Sequence, residues 1–299
     1  MKILLLGKNG QVGWELQRSL ALYGEVLALG REDENGNCGD LEKPEKLLET
    51  IERFQPNIIF NAAAYTAVDK AEEDRDRAML VNATSVGRIA DKCTELGCLL
   101  VHYSTDYVFD GLGSEAHLEN DLAVPINYYG LTKLNGEKEI ITSGCRYLIF
   151  RTSWVYGVHG NNFIKTMLRL AKEKTSLRVV ADQVGTPTSA EVIADISVYA
   201  AMKVLAGEKG LQGVYHLVPD GVTNWCEFAR WIIDRSINIS GNMLSSRDIL
   251  AITSEEYPTP ARRPLNSRLN NSKLKSILPS NTIKTWDMYA QRVLSILQS

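Results

Sequence analysis

The segment Lys2-Ile3-Leu4-Leu5-Leu6-Gly7-Lys8-Asn9-Gly10-Gln11-Val12-Gly13, near the start of the chain, decides the fold. Its apolar first part, Lys2–Leu6, predicts a buried strand, and the amphipathic residues 11–23 predict a helix. The three glycines of the segment let the backbone turn tightly, approach a phosphate closely and pack the helix against the strand. At the start of such a helix, unpaired N–H groups and the positive end of the dipole favour a pyrophosphate.

The position of these glycines matters more than their number. The spacing G-x-x-G-x-x-G is by itself a weak signal, and a tight strand–helix turn without a ligand is the alternative. Here the glycines join an apolar strand to an amphipathic helix, which is where a phosphate-binding loop belongs. We therefore predict a dinucleotide cradle, and its residues are Gly7, Asn9, Gly10, Gln11, Val12 and Gly13.

The first half of the chain alternates short apolar runs with amphipathic segments of helical length. The predicted strands are Lys2–Leu6, Glu25–Leu29 and residues 57–60, 99–103 and 147–150. From Met79 onward, apolar residues at 79, 83, 86, 90 and 93 step by three and four, which predicts one face of a helix. Strands that alternate with helices indicate βαβ units and a parallel sheet covered on both faces. The predicted fold class is α/β, with a Rossmann-type doubly wound parallel sheet.

Beyond residue 150 the alternation is less regular. The predicted elements there are helices at 163–174, 190–205 and 224–239, strands at 177–180 and 211–218, and an irregular, proline-interrupted stretch at 257–270. No repeat or low-complexity linker separates two units. We therefore expect residues 1–150 to form a dinucleotide-binding domain, to which later segments such as 177–205 return. Residues 151–299 should form mainly a smaller, interleaved α/β substrate-binding subdomain.

Composition excludes several classes of protein. The 299 residues include 33 Lys+Arg and 36 Asp+Glu, a formal charge of −3 without a basic block, which disfavours nucleic-acid binding. No apolar run reaches the ~18–20 residues of a membrane span. The five cysteines contain no Cys-x-x-Cys and the four histidines are scattered, so neither a disulfide framework nor a zinc site is indicated. A cytoplasmic protein without a membrane partner is the expectation.

The end of the second predicted strand bears on the choice of cofactor. An acidic residue at this place would hold the ribose hydroxyls of NAD, whereas a basic one accommodates the 2′-phosphate of NADP. The strand ends Leu29-Gly30-Arg31, so Arg31 favours NADP; a solvated loop arginine is the alternative. The residues expected near the adenine and its ribose are Asp40, Leu41, Ala63, Ala64 and Tyr65.

A tyrosine and a lysine, Tyr129 and Lys133, are spaced to share one face of a helix. A tyrosine with a pKa near ~10 is a poor acid or base at neutral pH, and a neighbouring cation would lower that pKa. Ser104-Thr105, at the end of a predicted strand, supplies a hydroxyl at the ligand-binding edge of the sheet. A second Tyr-x-x-x-Lys, Tyr199 with Lys203, lies in an apolar helix without such a strand end, and we interpret it as structural.

The glycine loop, the hydroxyl-bearing strand end and the tyrosine–lysine pair together resemble the extended short-chain dehydrogenases/reductases. Within that superfamily the chain resembles the dTDP-4-dehydrorhamnose reductase family, in register from the first residue to about Asn270. The segments that carry the resemblance are residues 7–16, 61–69, 104–109, 151–156, 161–163, 182–183, 185–188 and 258–264.

The resemblance implies that a nicotinamide hydride reduces the C4 ketone of dTDP-4-dehydro-L-rhamnose, with NADPH or NADH as cofactor. Tyr129 would then donate the proton, and Lys133 would hold the nicotinamide ribose and tune Tyr129. Thr105 would take the hydroxyl role. The residues expected to touch the nucleotide sugar are Thr105, Asp106, Trp154, Arg262 and Arg263. The two arginines would neutralise the diphosphate, a task suited to a planar cation, and an exposed basic turn is the alternative.

Some members of this family are magnesium-dependent dimers bridged by glutamates. Glu15 and Glu191 match those positions, which leaves a homodimer bridged by Mg²⁺ open. The sequence after Trp286 contributes a single acid, Asp287.

Two other functions fit the same fold. An epimerase or dehydratase acting on a nucleotide sugar is the first, but dehydratases usually carry an acidic pair beside the catalytic threonine, and Tyr107 follows Asp106 here. A non-catalytic regulatory subunit that binds the dinucleotide is the second, and it is disfavoured because Tyr129 and Lys133 are both present.

Overall fold

A computed structural model describes residues 1–240 and 248–298 of the chain. The strands are β1 Lys2–Leu6, β2 Glu25–Leu29, β3 Ile58–Asn61, β4 Leu99–Thr105, β5 Arg146–Thr152, β6 Val155–Tyr156, β7 Ser176–Val180, β8 Val184–Gly185, β9 Thr188–Ser189, β10 Gly213–His216, β11 Thr223–Asn224 and β12 Asp248–Ile252. The α-helices are α1 Gln11–Leu20, α2 Pro44–Phe54, α3 Arg75–Met79, α4 Ser85–Leu96, α5 Tyr128–Ser143, α6 Phe163–Glu173, α7 Ala190–Leu205, α8 Trp225–Ser240, α9 Ser272–Ile277 and α10 Trp286–Gln298.

A six-stranded parallel sheet forms the centre of the molecule, in the order β2-β1-β3-β4-β5-β10. The order reverses direction between β1 and β3, and the ligand crevice of an open α/β sheet lies at such a switch point, at the carboxyl ends of the strands. The strands are apolar on both faces because helices cover both. The expected Rossmann-type fold is confirmed.

Each face of the sheet has its own hydrophobic core. Ile3 and Leu5 of β1 pack on one face with residues of α1 and α7, whereas Leu4 and Leu6 pack on the other with residues of α2 and α4. Alternate residues of one strand thus enter opposite cores, as the period of two requires. Helix α7 and strand β10 therefore belong to the sheet layer, although both follow residue 150.

A smaller unit packs around a third core. Helices α6, α8 and α10 contribute Ile164, Phe228 and Val293 to it, and the short parallel pair β7 and β12 contributes Leu177 and Val179. Strand β7 therefore belongs to this smaller unit. Within residues 177–205, only α7 returns to the central sheet. The chain leaves and re-enters the sheet layer several times, which makes the two units interleaved.

The predicted helix that starts at Met79 is wrong in one respect, because a π-helical turn at Leu80–Thr84 interrupts it. Tertiary contacts explain the turn. The Asn82 side chain accepts from the Tyr65 backbone N–H at 2.8 Å and donates to the Thr132 hydroxyl at 3.0 Å. A Cβ on Gly136 would overlap the Asn82 carbonyl oxygen, so α5 packs directly on this turn. Turns of this kind are frequent beside functional sites.

Candidate active site

A cleft of about 780 Å³ opens at the carboxyl edge of the sheet. Its walls are the loop between β1 and α1, the ends of β3, β4 and β5, the start of α5, and the loop that follows β6. The cleft thus spans the switch point of the sheet, the place where a parallel α/β fold binds its ligand.

The glycine loop leaves room for a ligand because its backbone packs without side chains. Gly7 has a φ of 85°, and a Cβ there would lie 2.6 Å from the Ala63 nitrogen. A Cβ on Gly13 would overlap the Gly7 carbonyl oxygen. Helix α1 then begins at Gln11 with no side-chain cap and no acid in its first turn. Its free N–H groups can receive a pyrophosphate, so the loop fits the dinucleotide.

Arg31 lines the cleft beside the end of β2, where its side chain is 69% exposed and its Nε lies 4.0 Å from Glu42 Oε1. A Cβ on the neighbouring Gly30 would lie 2.8 Å from Asn9 Nδ2, so glycine is needed there for Asn9 to sit against the strand end. Asp40, which is buried, accepts from the Glu42 backbone N–H at 3.1 Å. The guanidinium of Arg31 thus lies beside the cleft and makes only a long contact with Glu42.

Tyr129 contacts Thr105 where α5 begins. The Asn127 side chain caps this helix by accepting from the Gly130 N–H at 2.8 Å. Desolvation of the phenol and the nearby Asp106 carboxylate raise the pKa of Tyr129, while its hydrogen bond with Thr105 opposes them. The expectation that Lys133 lowers this pKa is wrong here, because the buried phenol lies next to a carboxylate. A raised pKa keeps the phenol protonated, as a proton donor must be.

The buried carboxyl of Asp106 completes this corner of the cleft. Its Oδ1 accepts from the Thr105 hydroxyl at 3.0 Å. Burial raises the pKa of Asp106 to about 6, against the opposing hydrogen bonds from Ser267 and Thr105. Asp106 Oδ2 and the Ser104 hydroxyl are buried without a partner among the described residues, and both residues line the cleft. These two orphaned polar groups are available to a bound ligand.

Lys133 lies one turn beyond Tyr129 and is 1% exposed. Its Nζ is 3.0 Å from His102 Nε2, and His102 Nδ1 is 3.2 Å from Asn61 Nδ2. Burial lowers the pKa of Lys133 to about 8, although Glu137 acts in the opposite direction. The amino group therefore points at the cleft from a buried site.

Two stacked tryptophans form part of the cleft wall. Trp154, which follows β5 with a φ of 48°, stacks on Trp225 with ring centroids 3.7 Å apart. A Cβ on Gly185 would lie 2.9 Å from the Trp154 ring, so a glycine is required for this arrangement. Trp225 Nε1 donates to Gln183 Oε1 at 3.2 Å. The pair offers a flat apolar surface of the kind on which sugars and bases pack.

The arginine turn is anchored near the start of α5. Asn127 Nδ2 donates to the Arg262 carbonyl oxygen at 2.8 Å. Arg263 Nη2 donates to Asp69 Oδ2 at 2.8 Å, and Asp69 Oδ1 accepts from the Ala261 N–H at 3.1 Å. Arg262 is exposed. The turn thus lies beside the start of α5 and outside the cleft wall.

Glu15 and Glu191 do not fit a magnesium site. Each already pairs with an arginine: Glu15 Oε2 lies 3.3 Å from Arg18 Nε, and Glu191 Oε2 lies 2.9 Å from Arg292 Nε. Magnesium requires several oxygen ligands in octahedral geometry, and guanidinium groups repel a cation. Within residues 1–240 and 248–298, no cluster of three His, Cys, Asp or Glu side chains could hold a metal ion.

Most of the residues predicted for the site meet in the one cleft. Those on its wall are Gly7, Asn9, Gly10, Gln11, Val12, Arg31, Asp40, Leu41, Ala63, Ala64, Thr105, Asp106, Tyr129, Lys133 and Trp154. Gly13 packs behind the loop, and Tyr65 points away, since its hydroxyl donates to Asp74 at 3.1 Å. Residues that sequence reasoning missed are His102, Trp225 and Tyr107. The signal for His102 was its place two residues before Ser104 on the same strand face.

The second tyrosine–lysine pair lies away from the cleft. Lys203 Nζ contacts Glu208 at 2.9 Å and the Ile277 carbonyl oxygen at 3.2 Å. It also lies 5.7 Å from the centre of the Tyr199 ring, and all three contacts are structural ones at the end of α7. Among the described helices, none has the length and apolar character needed to cross a membrane.

Comparisons with known proteins agree with this geometry. A family model described as RmlD substrate binding domain matches residues 1–299. The dTDP-4-dehydrorhamnose reductase of Escherichia coli (strain K12) is 47% identical over 301 residues, which cover 99% of this chain and 98% of that protein. The crystal structure of a dTDP-4-dehydrorhamnose reductase from Clostridium acetobutylicum ATCC 824 has a TM-score of 0.88 at 35% identity and covers 100% of both chains. That of the Bacillus anthracis str. Ames enzyme in complex with NADP has a TM-score of 0.85 at 32% identity and covers 100% of this chain and 99% of that one.

Proposed function

The chain belongs to the RmlD substrate binding domain family, and from that premise we propose that it reduces the C4 ketone of dTDP-4-dehydro-L-rhamnose to dTDP-L-rhamnose. This reaction is the last step of dTDP-rhamnose synthesis. The observation that carries the proposal is the meeting of Tyr129, Thr105 and Lys133 in one cleft with the glycine loop. A proton donor, a hydroxyl and a cation then surround the place where a ketone would meet a nicotinamide.

The reduction needs one hydride and one proton. When bound, the reduced nicotinamide supplies the hydride to C4 of the sugar. Tyr129 donates its phenolic proton to the C4 oxygen as the carbonyl bond opens, and solvent then reprotonates it. Thr105 positions the Tyr129 hydroxyl and offers its own hydroxyl to the same oxygen.

Lys133 orients the cofactor. Its amino group reaches the cleft one turn beyond Tyr129, where it can donate to the hydroxyls of the nicotinamide ribose. The glycine loop and the N-terminus of α1 would hold the pyrophosphate. Together these contacts would place the nicotinamide near Tyr129, and positioning of this kind contributes to rate.

The preferred cofactor is NADPH. Gly30 leaves the second-strand end without an acid, and the exposed Arg31 guanidinium can pair with the 2′-phosphate. The weak contact of Arg31 with Glu42 at 4.0 Å leaves its donors available.

The substrate enters from the side of the tryptophan pair. Trp154 packs against the sugar, and Asp106 Oδ2 and the Ser104 hydroxyl accept or donate hydrogen bonds to its hydroxyls. Arg262, whose carbonyl oxygen is bonded by Asn127 beside the start of α5, and Arg263, which is anchored on Asp69, would neutralise the diphosphate. We place the reaction in the cytoplasm, where nucleotide sugars and reduced nicotinamide cofactors are made.

A steady-state assay tests the proposal. Purified protein is mixed with dTDP-4-dehydro-L-rhamnose and NADPH, loss of nicotinamide absorbance is followed, and dTDP-L-rhamnose is identified by chromatography. Equal molar amounts of oxidised cofactor and product are expected. Turnover with dTDP-glucose or a UDP-sugar but not with this ketone would overturn the substrate assignment.

A further inference from the structure

His102 is fully buried in β4, directly beneath the cleft. In the sheet register it stands beside Asn61 of β3, so both side chains point to the face covered by α5. On that face the imidazole bridges two polar groups, with Asn61 Nδ2 at 3.2 Å and Lys133 Nζ at 3.0 Å. It is the one histidine in the described residues placed against Lys133.

The hydrogen bonds that link Ala63, Asn61, His102 and Lys133 form a series, and the Ala63 end determines which groups in it donate and which accept. The Ala63 backbone N–H can only donate, and it donates to Asn61 Oδ1 at 3.2 Å. Asn61 therefore presents its amide N–H to His102 Nδ1, which must accept. A neutral imidazole that accepts at Nδ1 carries its hydrogen on Nε2, and Nε2 faces the Lys133 amino group.

An uncharged Lys133 amine accepts the Nε2–H of His102, so every donor in this series of hydrogen bonds faces an acceptor. An ammonium has no lone pair, so it would set one N–H against another at Nε2. If the imidazole moved its hydrogen to Nδ1, the same conflict would arise at Asn61. Every arrangement with charged Lys133 leaves one donor facing a donor in a buried place.

We propose that His102 is a positioning residue that holds the Lys133 amino group and disfavours its charged form until the cofactor binds. The nicotinamide ribose hydroxyls then offer acceptors to the ammonium, so binding to the uncharged form draws one proton from solvent onto Lys133. The inference rests on the proposed function, since it assigns the lysine to the nicotinamide end of a bound cofactor.

The charges around the pair support this interpretation. Glu137, on α5, faces Lys133 and favours its charged form, but Arg151 of β5 already holds Glu137 with a bidentate ion pair whose shortest contact is 2.6 Å. Burial and the charged form of Lys133 both lower the pKa of the His102 imidazole, so His102 stays neutral. Burial likewise lowers the pKa of Lys133, to about 8.

The protonation of Lys133 makes cofactor binding depend on pH. In the free protein Lys133 loses its proton as the pH rises through about 8, whereas the cofactor-bound form keeps it to higher pH. Proton uptake on binding is therefore expected above that pH, and cofactor affinity should fall as the pH rises.

The first test reads the tautomer directly. The ¹⁵N spectrum of histidine-labelled wild-type protein at pH 9 distinguishes a protonated ring nitrogen from a bare one, and single variants of His117, His159 and His216 assign the four histidines without changing His102. The expected signal is a bare Nδ1 and a protonated Nε2. A protonated Nδ1 would overturn the proposal.

The second test compares His102→Gln with a matched control, His216→Gln. Glutamine can turn its Oε1 toward Lys133 and accept from the ammonium, so the pH at which NADPH affinity declines should rise by about one unit. His216 is as fully buried as His102 but lies on β10 outside the cleft wall, so its variant should keep the wild-type midpoint. NADPH fluorescence titrations from pH 6 to 10 give the midpoints.

Equal midpoints in wild type and His102→Gln would show that His102 is a core residue without this role. NADPH titration needs no sugar substrate, so this outcome is separate from a failure of the proposed reaction. If the glutamine variant does not fold, the tautomer measurement on wild type still decides the question.

Discussion

The phenol of Tyr129 lies beside the Thr105 hydroxyl at the carboxyl end of β4, where the sheet opens into the cleft. Thr105 Oγ1 donates to Asp106 at 3.0 Å and accepts from the Tyr107 N–H at 3.2 Å, so two hydrogen bonds fix its orientation. The phenol is thereby aimed before a substrate arrives. Pre-set orientation of this kind lowers the cost of reaching the transition state.

Removal of the Tyr129 hydroxyl should affect turnover far more than folding. In Tyr129→Phe we expect kcat to fall by about 10²–10⁴-fold, the usual contribution of a general acid. The Tm should change by no more than about 3 °C, since a lost hydrogen bond is worth roughly 1 kcal/mol. Tyr128→Phe is the matched control, because Tyr128 packs on Arg75 outside the cleft wall and should keep wild-type kcat. Near-normal kcat in Tyr129→Phe would remove the residue from the mechanism.

Lys133 should give the reaction a pH limit on the alkaline side. Its pKa is lowered to about 8 by burial, so the charged form is present below that pH and lost as the pH rises through it. Wild-type kcat/KM for NADPH should therefore decline above about pH 8. Lys133→Met keeps the stem without the charge, so it should raise the cofactor KM at neutral pH and lack this decline. An identical alkaline limb in the variant would assign the limb to another group.

Arg31 should select the phosphorylated cofactor. Arg31→Ala removes one charge-assisted contact, so kcat/KM for NADPH should fall by about fivefold to tenfold. We expect no larger effect because solvent screens the exposed side chain. The value for NADH should not change. Lys46→Ala removes a neighbouring positive charge outside the cleft wall and is the control. Equal losses with both cofactors would mean that Arg31 does not contact the 2′-phosphate.

Chelation of divalent cations should leave the enzyme unchanged. Glu15 and Glu191 are already neutralised by Arg18 and Arg292, so we expect the same kcat/KM and the same elution volume on size exclusion with and without EDTA. Activity that is lost with EDTA and restored by Mg²⁺ would show that these ion pairs open to admit a metal.

Much of this architecture is readable from local sequence. Fully buried parallel strands such as Lys2–Leu6 have to be apolar runs, and the glycine loop has to follow the first of them. Tyr129 and Lys133 could be paired because helical spacing places them on one face. In each case a short-range rule decides which residues share a face or a turn.

The remaining features depend on contacts between distant segments. The partnership of His102 with Lys133 needs the register of β4 against β3 and the docking of α5, neither of which spacing specifies. Arg263 pairs with Asp69 from the far end of the chain, and the π turn exists because Asn82 bonds to Tyr65. For the same reason the raised pKa of Tyr129 could not be read from its distance to Lys133 in sequence.

The most direct measurement is the fate of the hydride. The protein is incubated with dTDP-4-dehydro-L-rhamnose and NADPH that carries deuterium at both positions of nicotinamide C4, and the product is analysed by mass spectrometry and NMR. We expect dTDP-L-rhamnose with one deuterium, located at C4 of the sugar. A sugar product without deuterium, or with deuterium at another carbon, would contradict it.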